Sequence, residues 1–252
     1  MKMRLIGILF ALFAPAAAMA SGAEVHLDKA NIDLHNQAAL QRGAKYFVNY
    51  CMGCHSAAYQ RYNRMGRDLG IPDELVQQNL IFTRDEKGAP TKIWALMTNA
   101  MHKGDAKEWF GAAPPDLTLV ARVRGADWLY TYLRSFYKDP SRPFGVNNTV
   151  FANVGMPHVL WQLQGMQEKV VEKGVDAHGH EHETTKLVLV QPGSMSPTDY
   201  DQMVRDLVTF LAYLGEPAQL KRQQLGVYVL LFLFVFFVVA YYLKKEYWKD
   251  VH

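Results

Sequence analysis

Cys51-Met52-Gly53-Cys54-His55 is the stretch on which the reading of the fold turns, because two thiols three positions apart followed at once by an imidazole form an attachment site for a c-type haem. Each thiol can add to a vinyl group of the macrocycle, and His55 is then held under the iron as an axial ligand. These are the only two cysteines in 252 residues, so none is left for a disulfide or for the second half of a four-ligand zinc site. A redox dithiol would have no use for His55 and belongs beside a βαβ pattern that the sequence lacks. No second motif occurs, so one haem per chain is expected.

Working outward, residues 37–50 read as a helix that buries Ala39, Leu40, Ala44, Phe47 and Val48 on one face and delivers the chain into Cys51. Gly43, four residues before Phe47, resembles the glycine of the first helix of class I c-type cytochromes, which permits a close helix crossing; an ordinary amphipathic helix would show the same pair. Tyr59, Arg61 and Tyr62 either cover a haem edge or face water. Residues 73–82 and 91–101 are expected to be short helices divided by the turn-forming stretch 85–90, and Pro114 and Pro115 force an extended backbone. A helical pattern resumes over 126–138 through Trp128, Leu129, Tyr132, Leu133 and Phe136, and 139–148 reads as a loop.

From 160 to 190 the pattern changes to strand, with 186–190 the clearest run and 161–171 its partner. The segment between them carries His178, His180 and His182, which read as a solvated tip rather than a metal site. Residues 196–214 form the best-defined helix: Ser196 caps it, Pro197 fits its first turn, and Met203, Val204, Leu207, Val208, Leu211 and Leu214 form its apolar stripe. The fold class expected is mainly α: a class I c-type cytochrome-like haem domain with a small β-hairpin insertion and one C-terminal transmembrane helix.

The two ends set the compartment. Lys2 and Arg4 precede an apolar run, and Ala18-Met19-Ala20 has the small-x-small form of a cleavage site, so residues 1–20 read as a signal peptide. Residues 226–243 carry no charge and as a helix would be about 27 Å long, close to the hydrocarbon thickness of a bilayer. Tyr241, Tyr242, Tyr247 and Trp248 sit where an interfacial belt would lie, and Lys244, Lys245 and Lys249 follow on the cytoplasmic side. The expected organisation is a signal peptide (1–20), an exported haem c domain (21–224), an anchor (225–243) and a cytoplasmic tail (244–252). That is a single-pass protein of the cell inner membrane with its haem domain on the periplasmic side. Formal net charge is +3, but residues 21–220 hold 20 Lys+Arg against 22 Asp+Glu. The exported domain therefore has no basic stripe to neutralise phosphates, which excludes nucleic acid as a partner.

What fills the second axial position of the iron decides between a carrier and a site open to exogenous ligands. Met52, Met65, Met97, Met101, Met156, Met166, Met195 and Met203 are all available in the mature chain. Most must be core fillers; Met97 and Met101 read as one helix face. Met156 lies in the irregular stretch Gly155-Met156-Pro157, and His158 is the competing imidazole.

Three features in this order, namely Cys51-Met52-Gly53-Cys54-His55, the segment Ala113-Pro114-Pro115-Asp116-Leu117-Thr118-Leu119-Val120-Ala121-Arg122-Val123-Arg124, and Gly155-Met156-Pro157, precede a capped helix and a single C-terminal span. This arrangement resembles the cytochrome c1 family, the haem subunits of the cytochrome bc1 complex, over nearly the whole chain. The resemblance implies one covalent haem c anchored by Cys51 and Cys54 and ligated by His55 and Met156. It also implies that Pro115 packs near the proximal imidazole and that Arg124 faces a haem propionate with Arg122 close by. The implied role is a redox subunit of a quinol–cytochrome c reductase, without substrate chemistry of its own. It would take electrons from a Rieske iron-sulfur protein and pass them to a soluble cytochrome c, in a dimeric complex with cytochrome b. Departures are His158 in place of a second proline, the Trp109-Phe110-Gly111 approach, and the histidine-rich hairpin. The rival readings are a mono-haem subunit of a terminal oxidase or other membrane dehydrogenase, a haem sensor or peroxidase with an open sixth site, and a structural haem.

Overall fold

The computed structural model describes residues 26–85, 87–175 and 181–250; the expected signal peptide lies outside these residues, as do His178 and His180. In chain order the elements are α1 (Gln37–Tyr46), a π-helical segment (Phe47–Cys51), β1 (Ala57–Arg61), α2 (Tyr62–Asp68), α3 (Asp73–Asn79), β2 (Leu96–Met97), α4 (Lys103–Phe110), α5 (Val120–Arg124), α6 (Ala126–Arg134), β3 (Phe136–Lys138), β4 (Val146–Asn148), α7 (Trp161–Gln164), β5 (Gly165–Val175), β6 (Glu181–Pro192), α8 (Pro197–Gly215) and α9 (Gln219–Tyr247). The architecture is mainly α, with three two-stranded antiparallel sheets among the described residues.

The frame that positions the site is the crossing of α1 and α8. Asn36 caps α1 by accepting the Ala39 N–H at 3.0 Å, and Ser196 caps α8 by accepting the Asp199 N–H at 3.2 Å. At the crossing the two backbones touch: a Cβ placed on Gly43 would collide with the carbonyl oxygen of Asp206 and lie 2.6 Å from the Cβ of Phe210. Glycine is required there for lack of room. One turn on, Phe47 packs its ring 5.5 Å from that of Phe210, and Arg42 pairs with the buried Asp206 at 2.6 Å. The last turn of the expected 37–50 helix is π-wound, a local widening common at functional sites. The His55 N–H then returns to the Cys51 carbonyl at 2.8 Å.

Several expected elements are corrected. Residues 91–101 form no helix; they contain β2, which pairs with β1. The carbonyls of Ile93 and Ala95 accept from the N–H groups of Asn63 (2.8 Å) and Tyr62 (3.2 Å). A helix would have used those carbonyls internally, so tertiary pairing overrides the local pattern. The helix lies further on, as α4, and is ended by Gly111 at φ 79; Met97 and Met101 therefore share no helix face. The 73–82 helix stops at Asn79. The 126–138 helix stops at Arg134, because Phe136–Lys138 pairs with Val146–Asn148 inside the expected loop. The 160–190 region begins with α7 before a hairpin longer than expected, its backbone register running from Gly165↔Pro192 to Val175↔Glu181.

Helix α9 is 29 residues long and continues the expected 225–243 span by about a turn or more at each end. At about 1.5 Å per residue it is roughly 43 Å long, enough for its charged ends to reach both headgroup regions. It is long and apolar enough to cross a membrane, and its apolar side chains are exposed.

Candidate haem site

Beside the crossing lies a cavity of ≈ 380 Å³. Tyr50 and Cys51 of the π-helical segment line it, with Cys54 and His55 directly after; Phe110 and residues 112–115 close one side, and Arg124, Trp128, Leu129, Tyr132 and Leu133 of α5 and α6 another. Phe151, residues 154–157 and Val159 complete the wall together with Leu207 and Leu211 of α8. The lining is dominated by aliphatic and aromatic side chains, which suits a flat apolar macrocycle better than a polar substrate.

The chemistry at the Cys-His wall is set by two environments. Cys51 is buried, and burial first, then Cys54, pushes its thiol up to about 12. Such a thiol holds no thiolate at neutral pH and makes a poor redox nucleophile. The imidazole of His55 places Nδ1 2.7 Å from the carbonyl oxygen of Pro115. A carbonyl can only accept, so Nδ1 carries the proton and Nε2 keeps its lone pair for a metal. Burial lowers the His55 pKa, against the opposing effects of the Pro115 carbonyl and Asp116, in the direction that favours the uncharged ring a ligand needs.

The segment after the proline pair is tied down by Asp116. Its carboxylate accepts from Ala58 N (2.7 Å) and from Thr118 N (2.8 Å), while Leu117 N donates to Ser56 O at 2.8 Å. The Pro115 carbonyl is thus positioned by the same strand that follows the haem motif.

Among the eight methionines of the described residues, Met156 lines the cavity and the other seven do not. Met52, Met65, Met97 and Met203 are buried in the core. Gly155 is uncrowded: a Cβ added there would find Phe110 O as its nearest neighbour, at 3.8 Å. His158 does not line the cavity; its ring stacks on Phe136 at 4.8 Å, and burial lowers its pKa to about 4. Arg124 lines the cavity with its guanidinium 5.1 Å from the Trp128 ring centroid. Arg122, expected nearby, turns away and pairs with Glu216 at 3.2 Å. Tyr59 is exposed and Tyr62 buried, and neither they nor Arg61 reaches the cavity.

Sequence reasoning placed Trp128 and Tyr132 on an apolar helix face but did not connect them to Met156. Tyr132 Oη donates to the Met156 sulfur at 3.3 Å. The i, i+4 spacing of the two aromatics, which stack at 4.8 Å and 9°, was the available signal.

An apolar slot that ends on a neutral, pre-oriented imidazole and is flanked by two thiols is what a c-type cytochrome needs, and the chain is one, carried on a helix able to cross a bilayer. The model of the Cytochrome C1 family matches residues 28–251. Relatives include cytochrome c1 of Allochromatium vinosum, 56% identical over 99% of both chains. The ammonia monooxygenase gamma subunit of Nitrosomonas europaea is 48% identical over 100% of both, and cytochrome c1 of Rhodospirillum rubrum 25% identical over 97% of this chain and 95% of its own. The chain belongs to the cytochrome c1 family, the haem electron-transfer subunits of the cytochrome bc1 complex, and carries one covalently bound haem c. It is a membrane-anchored redox subunit of a reductase complex that also contains cytochrome b and a Rieske protein.

Proposed function

We propose that this subunit takes electrons one at a time from the Rieske protein and passes them to a soluble cytochrome c. Haem c supplies the ferric/ferrous couple; the residues of the chain hold it, orient it and set its potential. In this reading Cys51 and Cys54 would anchor the haem through thioethers, and His55 and Met156 would be the residues that hold its iron. Pro115 fixes the His55 tautomer through its carbonyl, and Arg124, which makes no ion pair among the described residues, meets a propionate. Arg122 is left out because it does not line the cavity and points to Glu216 instead. The single observation that carries the assignment is that His55, already oriented by Pro115, and Met156 share one apolar cavity with both cysteines.

The domain organisation we propose is a cleaved signal peptide (1–20), a periplasmic haem domain (21–224), an anchor (225–243) and a cytoplasmic tail (244–252), within a dimeric complex. The exported N-terminus supports this orientation; lysines follow the span, but Lys221 and Arg222 flank its other end.

Purification from membranes followed by subunit identification and a quinol-to-cytochrome c reductase assay tests the proposal. Recovery with cytochrome b and a Rieske protein, and reductase activity sensitive to a quinol-site inhibitor, is expected. Recovery with terminal oxidase subunits would overturn it. Full carbon monoxide binding to the native reduced protein would instead favour an open sixth site.

A further inference from the structure

We propose that Tyr132 is a positioning and potential-setting residue: its hydroxyl donates a hydrogen bond to the sulfur lone pair that Met156 does not give to the iron, and thereby raises the potential. The inference rests on the ligand role of Met156 proposed above.

The geometry is specific. Tyr132 Oη lies 3.3 Å from the Met156 sulfur, and both residues line the cavity. The hydroxyl has no other partner among the described residues. Its ring is clamped between Trp128, stacked at 4.8 Å, and Phe136, edge-on at 5.2 Å. A phenol hydroxyl carries its proton at neutral pH and so serves as a donor. A thioether sulfur has two lone pairs and is a weak acceptor; with one directed to iron, the other is free for the hydroxyl.

A bond donated to that lone pair draws electron density from sulfur and weakens its donation to the electron-poor ferric ion more than to the ferrous. The effect acts in a poorly screened, apolar cavity, where such interactions strengthen. A comparable pair, Tyr62 and Met52 at 3.4 Å, lies buried outside the cavity and simply satisfies a core hydroxyl. It provides an internal control.

The test uses the full-length protein in its complex, comparing wild type, Tyr132→Phe and Tyr62→Phe by equilibrium redox titration and by the thioether-to-iron charge-transfer band of the ferric form. Tyr132→Phe keeps the ring and is expected to keep haem attached. The band should shift or disappear, and the ferric-to-ferrous ratio at fixed ambient potential should rise about two- to tenfold, the range of one net hydrogen bond. Tyr62→Phe should leave both readouts unmoved. An unchanged band and ratio in Tyr132→Phe, or an equal shift in Tyr62→Phe, would overturn the proposal while leaving Met156 ligation intact. Absence of the band in wild type would overturn Met156 ligation and this inference with it.

Discussion

The carbonyl oxygen of Pro115 accepts a hydrogen bond from Nδ1 of His55 at 2.7 Å, joining residues 60 positions apart. This contact chooses the imidazole tautomer, so in the proposed site the segment that carries the proline pair orients His55 as much as the haem motif does.

Because Asp116 holds that segment to Ala58 and Thr118, Asp116→Ala should loosen the proximal side. Loss of two hydrogen bonds to a carboxylate is expected to cost about 1–3 kcal/mol. It should appear as a lowered thermal midpoint and as broadened His55 signals in the ferric protein. An unaltered melting curve would show that Leu117 and Ser56 suffice.

Met156→Ala should leave haem attached through Cys51 and Cys54 and lower its potential, since a thioether favours reduced iron. Redox titration and carbon monoxide binding to the reduced protein report it: the variant should bind the gas where the native protein does not. An unchanged potential removes Met156 from the ligand set.

Gly43→Ala adds a single methyl where the Asp206 carbonyl and the Phe210 Cβ leave no room. The α1 and α8 backbones must separate, at a cost of about 1–3 kcal/mol. Thermal denaturation of the detergent-solubilised protein should show a clear decrease, and a midpoint equal to wild type would mean that the crossing adjusts freely.

Asp127 ties residues 29 and 30 to α6 by accepting from Lys29 Nζ (2.8 Å) and Ala30 N (2.9 Å). Lys29 first and the Ala30 N–H second hold its carboxyl below the usual value of 3.8. A depressed folded pKa means that the contribution is complete above pH ~4 and fades as pH falls through the folded value. Solvent screening keeps it under about 1 kcal/mol. Melting temperatures between about pH 5 and pH 2 should therefore fall less steeply for Asp127→Asn than for wild type; parallel curves would contradict the assignment.

Much of the fold was legible because its signals are local. Ser196, Pro197 and the apolar stripe defined α8, and an uncharged run of eighteen residues defined the core of α9. No helix forms over 91–101 because Ile93 and Ala95 give their carbonyls to α2, a partner thirty residues or more back, and no local pattern records that demand. The end of α6 was misplaced for the same reason, its last residues being taken by β4.

By itself the sequence determined the haem motif, since attachment needs only two thiols and an imidazole at covalently set spacing, and it determined a membrane-spanning helix through composition alone. Tertiary structure decided which side chains meet around the cavity. Among the described methionines it brought Met156 alone to the wall, and it set Tyr132 on its sulfur. It also turned Arg122 towards Glu216 and stacked His158 on Phe136. These outcomes depend on contacts between segments distant along the chain, made possible by the close approach of α1 and α8 at Gly43, and sequence spacing carries no record of the direction in which a side chain leaves a packed backbone.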